Sequence, residues 1–317
     1  MRLVVIIPAY DEAADIGATV RSVPAAVEGV DEVVTVVIDD GSTDGTAQLA
    51  GAAGAHRVVS HARNRGLAAA FRTGLEAALA AGADVIVNLD ADGQYDVADL
   101  PALIAPVLRG EADVAIGTRP IDDMRHFSWM KRRAQRIGSR VVRLASGLDV
   151  DDATSGFRAF SADAARRMAV FSPHTYTLET LIQAGQSGMR VVGVPVRVHG
   201  PTRPSRLMRS WPQYVRRSAL TIVRLFVVYR PFRFFALLSA AFLAGGLLLV
   251  GRFLIYYVTS GGDGRVQSLV IGGALLTVGV QVLVTAFLAD AVATNRRILE
   301  ELRYRLRGGD VEGGGHG

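Results

Sequence analysis

Two hydrophobic patterns alternate along the first 120 residues, and this alternation restricts the fold more than any other feature of the chain. Short runs rich in β-branched residues predict strands, whereas Ala/Leu-rich stretches with helical spacing, such as GLAAAFRTGLEAALAAG at 66–82, predict helices. Strands that alternate with helices predict a doubly wound, mostly parallel α/β sheet. The predicted strands are RLVVIIP (2–8), EVVTVVID (32–39), HRVVSH (56–61), ADVIVNLD (83–90) and ADVAIG (112–117).

Polar clusters follow three of these predicted strands. PAYDE comes after the first strand, DDGSTDG after the second and DADGQ after the fourth. Ligands of doubly wound sheets bind beyond the carboxyl ends of the strands, so these clusters mark the expected site. Residues 120–178 are less regular, with a basic amphipathic stretch at 130–147 and a turn-rich segment, DDATSGFRAF, at 151–160.

Two uncharged apolar runs near the carboxyl end predict membrane spans. The first, at 234–251, has 18 residues, which cover roughly 27 Å at about 1.5 Å per residue. The second lies at 268–289, and the alternative for both is a pair of buried core helices. Arginines precede the first run and follow the second, so the positive-inside rule predicts that both ends face the cytosol. The apolar run LVVII near the amino terminus is too short for a signal peptide.

The charge is divided unevenly along the chain. Residues 1–179 carry 18 Lys/Arg and 24 Asp/Glu, whereas residues 180–317 carry 17 and 6. No acidic residue occurs between Glu179 and Asp263. A long basic stretch of this kind suggests nucleic acid or an anionic membrane, and the two apolar runs favour the membrane. The segment 207–230, with arginines among Leu, Trp, Val and Phe, predicts an interfacial helix. The absence of cysteine excludes disulfides and thiolate metal sites.

Asp90, Asp92 and Gln94 offer three oxygen-bearing side chains directly after a predicted buried strand. Oxygen ligands suit Mg²⁺ or Mn²⁺, so we predict a divalent cation there. A second Asp-x-Asp pair, Asp149 and Asp151, follows a Ser-Gly turn, and a solvated turn explains it better.

Asp39 and Asp40 end the second predicted strand and begin DDGSTDGT. Ser42 or Thr43 could cap the next helix, but capping does not require two consecutive acids. Carboxylates at a strand end could instead accept hydrogen bonds from the N–H groups of a nucleotide base or from ribose hydroxyls. The chain has neither GxGxxG nor GxxxxGK[ST], which excludes a dinucleotide fingerprint and a P-loop.

Taken in order, six motifs and the two terminal spans resemble the polyprenyl-phosphate glycosyltransferases, the group of family 2 enzymes that includes dolichol-phosphate mannose synthases. They are VVIIPAYDEAADIGATV, VVIDDGSTDGT, NRGLAAAFRTGL, VNLDADGQYD, ADVAIGTR, DATSGFRAF and the two terminal spans. The resemblance covers roughly residues 3–290. It implies an inverting enzyme with a GT-A (Rossmann-like) mixed, mostly parallel sheet, a carboxy-terminal interfacial helix and two transmembrane helices.

The resemblance also implies site residues by position. The donor nucleotide would contact Pro8, Ala9, Tyr10, Asp11, Glu12, Asp39, Asp40, Asp90 and Ala91. Asp90, Asp92 and Gln94 would hold the metal. The acceptor phosphate and diphosphate would contact Arg119, Arg132, Gln135, Arg203, Ser205 and Arg206. Asp92, Arg119 and Arg132 would be the catalytic residues. Gln135 stands where the family often has a serine, and a salt bridge remains an alternative to a catalytic role for Glu179.

The implied reaction transfers a sugar from a UDP- or GDP-linked donor to a polyprenyl phosphate at the cytosolic face of the inner (plasma) membrane. The expected parts are a cytosolic catalytic domain (1–205), a juxtamembrane helix (206–231), two spans (232–292) and a cytosolic basic tail with a disordered end (293–317). Homo-oligomerisation stays open. The alternatives are a processive polysaccharide synthase, which would need more spans and a Gln-x-x-Arg-Trp motif, and a catalytically idle membrane-anchored protein that binds sugar nucleotides.

Overall fold

The structure is a computed structural model. It describes residues 1–119, 143, 146–148, 152–168, 170, 176–199, 227, 231–260 and 266–312, and only the backbone at 260, 297, 300, 301, 303 and 305–312. The chain divides into two compact units, one of Met1–Arg216 with Arg303–Gly317 and the other of Arg217–Leu302.

The described part of the first unit contains a seven-stranded sheet in the order β3-β2-β1-β4-β6-β5-β7. Neighbouring strands are parallel, except that β6 runs antiparallel to both β4 and β5. The strands are β1 (Arg2–Ala9), β2 (Glu32–Asp39), β3 (Arg57–Ser60), β4 (Val85–Asn88), β5 (Val114–Thr118), β6 (Arg158–Ser161) and β7 (Val191–Pro195). The predicted mixed, mostly parallel sheet is confirmed.

Helices connect these strands. They are α1 (Ile16–Ser22), α2 (Thr46–Ala52), α3 (Leu67–Ala80), α4 (Leu100–Leu108), α5 (Ala162–Arg167) and α6 (Thr177–Gln186), with one 3₁₀ turn at Val97–Asp99. Two apolar clusters form the core. One packs Ile6 and Phe160 with Phe71 of α3, and the other packs Ile7 and Phe157 with residues of α1 and α4. Central strands are buried in both clusters, which explains why they are hydrophobic along their whole length.

The second unit contains two long apolar helices, α7 (Pro231–Ser260) and most of α8 (Val266–Glu312). By length and composition, Pro231–Thr259 and Val266–Arg296 could each cross a membrane. The helices pack closely: Ser239 Oγ donates a hydrogen bond to the Gly279 carbonyl at 2.7 Å, and a Cβ on Gly272 would lie 3.1 Å from the Gly246 carbonyl. Large apolar side chains such as Leu237 are exposed on the outside of this pair.

Helix α8 continues to Glu312 and therefore enters the glycine-rich tail that we expected to be disordered. The helix continues from the preceding Leu- and Arg-rich turns, although each glycine in it costs about 1 kcal/mol of helix stability relative to alanine. The predicted interfacial helix lies outside the described residues, except for position 227 and the first residue of α7.

Candidate active site

The carboxyl ends of β1 and β2 form the first part of the site. Ala9 pairs with Asp39 in the parallel register, and the Asp40 amide donates to the Ala9 carbonyl at 2.8 Å. The predicted donor-binding motifs PAYDE and DDGSTDG therefore begin side by side at one edge of the sheet.

Reciprocal hydrogen bonds interlock the loops that follow these two strands. The Asp11 amide donates to Ser42 Oγ at 3.0 Å, and the Thr43 amide donates to Asp11 Oδ1 at 3.0 Å. Asp11 adopts φ 51°, the one positive φ at a non-glycine residue among those described, a conformation that aspartate tolerates better than most residues. Tyr10, beside it, is 41% exposed. The loops thus place an exposed ring next to a fixed carboxylate.

Ser42 and Thr43 do not cap the next helix. Helix α2 begins at Thr46 with Gly45 at the N-cap, while Ser42 Oγ accepts from Asp11 and Thr46 Oγ1 accepts from the Glu12 amide at 2.9 Å. The hydroxyls of this motif therefore link the two loops, a contact that local sequence patterns do not reveal.

Asp39 and Asp40 have different surroundings although both are buried. Asp39 Oδ1 accepts from the Ser42 amide at 3.0 Å. Both oxygens of Asp40 bind protein groups: Oδ1 lies 2.6 Å from His61 Nδ1 and accepts from the Arg65 amide, and Oδ2 accepts from the Gly66 amide at 2.7 Å. Asp40 thereby fixes the loop at 61–66, so Asp39 is the better placed of the two predicted donor ligands.

Gly41 allows the loop after β2 to contact the loop at 61–66. Its φ is +75°, and an added Cβ would lie 2.5 Å from the Arg63 carbonyl carbon and 2.7 Å from the Asn64 nitrogen. Only glycine satisfies both the backbone angle and this backbone contact.

Asp90 and Asp92 follow β4 at the same edge. Asp92 Oδ1 accepts from the Gln94 amide at 3.1 Å, which fixes the turn between them. Burial, and then the negative charge of Asp92, raise the pKa of Asp90 to about 6. Two neighbouring carboxylates, one of them held in a buried position beside the charge of the other, fit a hard divalent cation together with a nearby amide oxygen.

Within the described residues, no group of three or more His, Cys, Asp or Glu side chains forms a metal cluster. An ion held by the two carboxylates and Gln94 would have other coordination positions for phosphate oxygens of a ligand, as Mg²⁺ commonly has in nucleotide sites.

Gly156 lies directly against Asp90. A Cβ on Gly156 would be 2.6 Å from Asp90 Oδ1 and closer still to Oδ2. Two side chains hold the Gly156 peptide there: its amide donates to the Tyr95 hydroxyl at 3.0 Å, and its carbonyl accepts from Asn88 Nδ2 at 2.7 Å. Both side chains are buried, so the Gly156 peptide that contacts Asp90 is fixed by groups inside the protein.

Arg119, the predicted phosphate ligand after β5, forms a bidentate pair with Asp152. Its Nε and Nη2 donate to the two carboxylate oxygens at 2.6 and 2.9 Å, and Nη2 also donates to Thr154 Oγ1 at 2.8 Å. The Arg119 side chain keeps 17% exposure, whereas Asp152 keeps 1%. Burial opposes both charges, but their mutual hydrogen bonds hold the pKa of Asp152 below and that of Arg119 above the ordinary values.

Arg158 is a second guanidinium near this site, and it is completely buried. It donates to the carbonyls of Ala153, Ser155 and Thr177 and to Thr180 Oγ1 at 2.7 to 2.9 Å. Burial lowers its pKa, and negative charges that include Asp90 partly offset this effect.

The site residues predicted from the sequence do not include Asn88, Tyr95, Asp152, Gly156 or Arg158. All five lie in motifs that carry the resemblance, and Asn88 offered a signal of its own, because a polar side chain interrupts an otherwise apolar strand. Arg132, Gln135, Arg203, Ser205 and Arg206 lie outside the described residues, so their assignment to the acceptor site stays a prediction. Pro8, the second-to-last residue of β1, and Ala91, which follows β4, lie at the same edge.

A family model of glycosyl transferase family 2 matches residues 4–168, which contain Asp39, Asp90, Asp92 and Arg119. The chain belongs to glycosyl transferase family 2. This match confirms the resemblance inferred from the motifs, and the chain is a glycosyltransferase.

Two named relatives are similar along this domain. Undecaprenyl-phosphate mannosyltransferase of Micrococcus luteus is 32% identical over 206 residues, which are 62% of this chain and 83% of that protein. Polyprenol monophosphomannose synthase of Mycolicibacterium smegmatis is 33% identical over 206 residues, 62% of this chain and 76% of that protein.

A solved structure of another glycosyltransferase has the same fold. Glucosyl-3-phosphoglycerate synthase from Mycobacterium tuberculosis, in complex with Mn²⁺, UDP and phosphoglyceric acid, superposes with a TM-score of 0.56 and 22% identity, covering 71% of this chain and 77% of that one. At this identity the likeness establishes the GT-A fold of this family 2 glycosyltransferase and nothing finer.

Proposed function

We propose that this glycosyltransferase moves a sugar from a UDP- or GDP-linked donor to the phosphate of a polyprenyl phosphate, with inversion and with Mg²⁺ or Mn²⁺. One observation carries the proposal. The Asp90 and Asp92 carboxylates and the charged side chain of Arg119 lie at the same edge of the sheet. The two relatives described above, whose names specify polyprenyl-phosphate mannosylation, support this choice of acceptor.

The donor half of the reaction needs a stabilised leaving diphosphate. Asp90, Asp92 and Gln94 would hold a divalent ion, and this ion would neutralise the charge that develops on the diphosphate as it leaves the sugar. Asp39 would accept hydrogen bonds from the nucleoside. The exposed ring of Tyr10 would lie beside the nucleoside.

The acceptor half needs cations rather than a general base. A lipid monophosphate has a second pKa of about 6 and is largely dianionic at pH 7, so its oxygen can attack the anomeric carbon directly. Arg119 would hold this phosphate beside the diphosphate, because its pairing with Asp152 fixes the guanidinium before the substrate binds. We propose that Arg132, Arg203 and Arg206 contribute further positive charge.

The membrane part of the proposal follows from the acceptor. An isoprenoid tail lies in the hydrocarbon, so the phosphate is presented at the bilayer surface. We propose that the two apolar helices anchor the enzyme in the inner membrane, that residues 206–231 lie in the interface, and that residues 1–205 and the tail at 293–317 face the cytosol.

The test is sugar transfer by the purified full-length protein in detergent. Radiolabelled UDP- and GDP-sugars, with GDP-mannose among them, are offered with polyprenyl phosphate and Mn²⁺ or Mg²⁺, and in parallel with a chelator. We expect one donor to give an organic-extractable product that the chelator abolishes.

Two variants test the metal assignment. Asp92→Ala should lose transfer by at least about 100-fold, as expected when a charge-stabilising group is removed. Asp84→Ala is the matched control, because Asp84 lies at the opposite end of the same strand and is exposed. Undiminished transfer by Asp92→Ala would reject the metal site, and the absence of lipid product with every donor would reject the acceptor.

A further inference from the structure

The segment Asp152–Arg158, here called the clamp segment, reaches both halves of the proposed site. At one end Asp152 binds Arg119 through two hydrogen bonds. Four residues later, Gly156 packs against the Asp90 carboxylate closely enough to exclude a Cβ. The same short segment therefore contacts a proposed metal ligand and a proposed phosphate ligand.

Arg158, the last residue of the clamp segment, connects the segment to α6 by hydrogen bonds. Two of its hydrogen bonds go to carbonyls within the segment, at Ala153 and Ser155, and two go to the start of α6, at Thr177 and Thr180. Within the described part of the chain, no carboxylate lies within salt-bridge distance of its guanidinium. A planar group with donors in a fixed fork sets the geometry of four acceptors at once.

Packing alone does not account for a buried guanidinium among neutral acceptors. Removing such a charge from water is unfavourable, and well-packed apolar residues of similar volume commonly replace buried ions without loss of stability. The hydrogen bonds of the guanidinium are directional, and they fix carbonyl oxygens of the clamp segment relative to α6.

We infer that the clamp segment is a single positioning element for both the metal carboxylate Asp90 and the phosphate ligand Arg119, with Arg158 as its shared anchor. This inference rests on the proposed function. Asp152 is the arm toward Arg119, and Gly156, held by Tyr95 and Asn88, is the arm toward Asp90. Arg158 is completely buried, so it acts on both residues through the segment.

Two measurements separate the arms. Mn²⁺ affinity is measured by electron paramagnetic resonance of free Mn²⁺ during titration of the full-length protein, without acceptor or turnover. Acceptor binding is measured as the KM for polyprenyl phosphate, together with kcat, at saturating Mn²⁺.

Variants in the arm toward Asp90 should change only the Mn²⁺ affinity, and a variant in the arm toward Arg119 should change only the acceptor KM. Gly156→Ala and the milder Tyr95→Phe should weaken Mn²⁺ binding, by about 10-fold or more for the alanine, in line with the effect of disturbing the supports of a metal ligand. Asp152→Asn should raise the KM for polyprenyl phosphate by about 10-fold and leave Mn²⁺ affinity within about 2-fold, because one carboxylate–arginine pair is lost.

Arg158→Lys should change both measurements, by at least about 3-fold each, because lysine cannot reproduce the four-acceptor geometry. Thr180→Val, which removes one of the four acceptors, is the second variant and should change both in the same direction to a smaller extent. It keeps the inference testable if Arg158→Lys does not fold.

Leu103→Ala in α4 is the control for a purely structural effect. Leu103 is buried in the core, so this variant loses stability while Mn²⁺ affinity and acceptor KM should remain at wild-type values. The inference is overturned if folded Arg158→Lys or Thr180→Val changes neither measurement or only one, or if Leu103→Ala changes both as they do.

Failure of the proposed function would give a different set of results. If wild-type protein gives no lipid product, the acceptor assignment fails, while the Mn²⁺ titrations of Gly156→Ala, Arg158→Lys and Leu103→Ala still decide whether the clamp segment positions Asp90. Mn²⁺ affinity unaffected in both site variants would then overturn the inference.

Discussion

Replacing Asp90 by asparagine should make the metal-free protein more stable at neutral pH while abolishing transfer. Burial and the charge of Asp92 raise the pKa of Asp90 from 3.8 to about 6. The folded protein therefore binds a proton more tightly than the unfolded chain, and stability falls as the pH rises from about 4 to about 6. Above pH 6 the folded protein contains a carboxylate in an unfavourable position. Asparagine has the same shape and does not ionise.

The magnitude follows from the two pKa values. Their difference corresponds to about 3 kcal/mol at about 1.4 kcal/mol per pH unit, and partial exposure of Asp90 makes about 2 kcal/mol a fair lower figure. For a domain of about 200 residues, 1 kcal/mol changes the melting temperature by roughly 2 to 4 °C. Asp90→Asn should thus melt roughly 4 to 12 °C above wild type at pH 7 and close to it below pH 4.

The assay is thermal unfolding of full-length protein in detergent with chelator, followed by circular dichroism from pH 4 to 8. Saturating Mn²⁺ should reduce or reverse the difference, because the ion stabilises the protein that binds it. A variant that melts at or below wild type at pH 7, or a difference that does not depend on pH, would refute the reasoning.

Asp99→Asn provides a control of opposite sign. Although burial opposes its ionisation, hydrogen bonds from Arg197 hold the pKa of Asp99 below its ordinary value. Its charged form therefore stabilises the fold above the unfolded pKa, and this stabilisation is lost as the pH falls through the folded pKa. Asp99→Asn should melt below wild type at pH 7, and the two should converge toward low pH.

Three further predictions concern other parts of the chain. Gly41→Ala should weaken binding of the donor nucleotide in calorimetric titrations and cost roughly 1 to 3 kcal/mol of stability, because its Cβ meets the backbone at Arg63 and its φ is positive; unchanged affinity would contradict the interlocked loops. Arg119→Lys should raise the KM for polyprenyl phosphate by about 10-fold, since lysine cannot pair with Asp152 in bidentate fashion; a wild-type KM would remove Arg119 from the acceptor site. Gly272→Leu should lower the protease resistance of the helix pair in detergent, because even a Cβ there lies 3.1 Å from the Gly246 carbonyl; unaltered digestion would contradict the close packing.

The sheet was largely predictable because its strands are continuous apolar runs. All five predicted strands are present, and the boundaries of β2 match the prediction at both ends. Strands β6 and β7 were not predicted. Three of the four residues of β6 lie within the segment 151–160 that was predicted to be turn-rich. Their strand character comes from insertion between β4 and β5, a distant pairing that local patterns do not encode.

The site was predictable where chemistry follows a strand end and less so where it depends on tertiary contacts. Asp90 and Asp92 stand out because carboxylates directly follow a buried strand. Asp39 and Asp40 look equivalent in the sequence, but only the structure brings His61 and the 61–66 loop onto Asp40. Arg158 looks like an ordinary arginine of a turn-rich segment, and its complete burial depends on the position of α6.

Competition between two acceptors tests the central claim most directly. The purified enzyme is given its active labelled donor, Mn²⁺ and equal concentrations of polyprenyl phosphate and 3-phosphoglycerate. The products are identified by mass spectrometry, and the anomeric configuration of the lipid product is determined by NMR. The proposal predicts one dominant product, a polyprenyl monophosphate carrying a single sugar of inverted anomeric configuration. Label in a water-soluble phosphoglycerate product, or a lipid product of retained configuration, would contradict it.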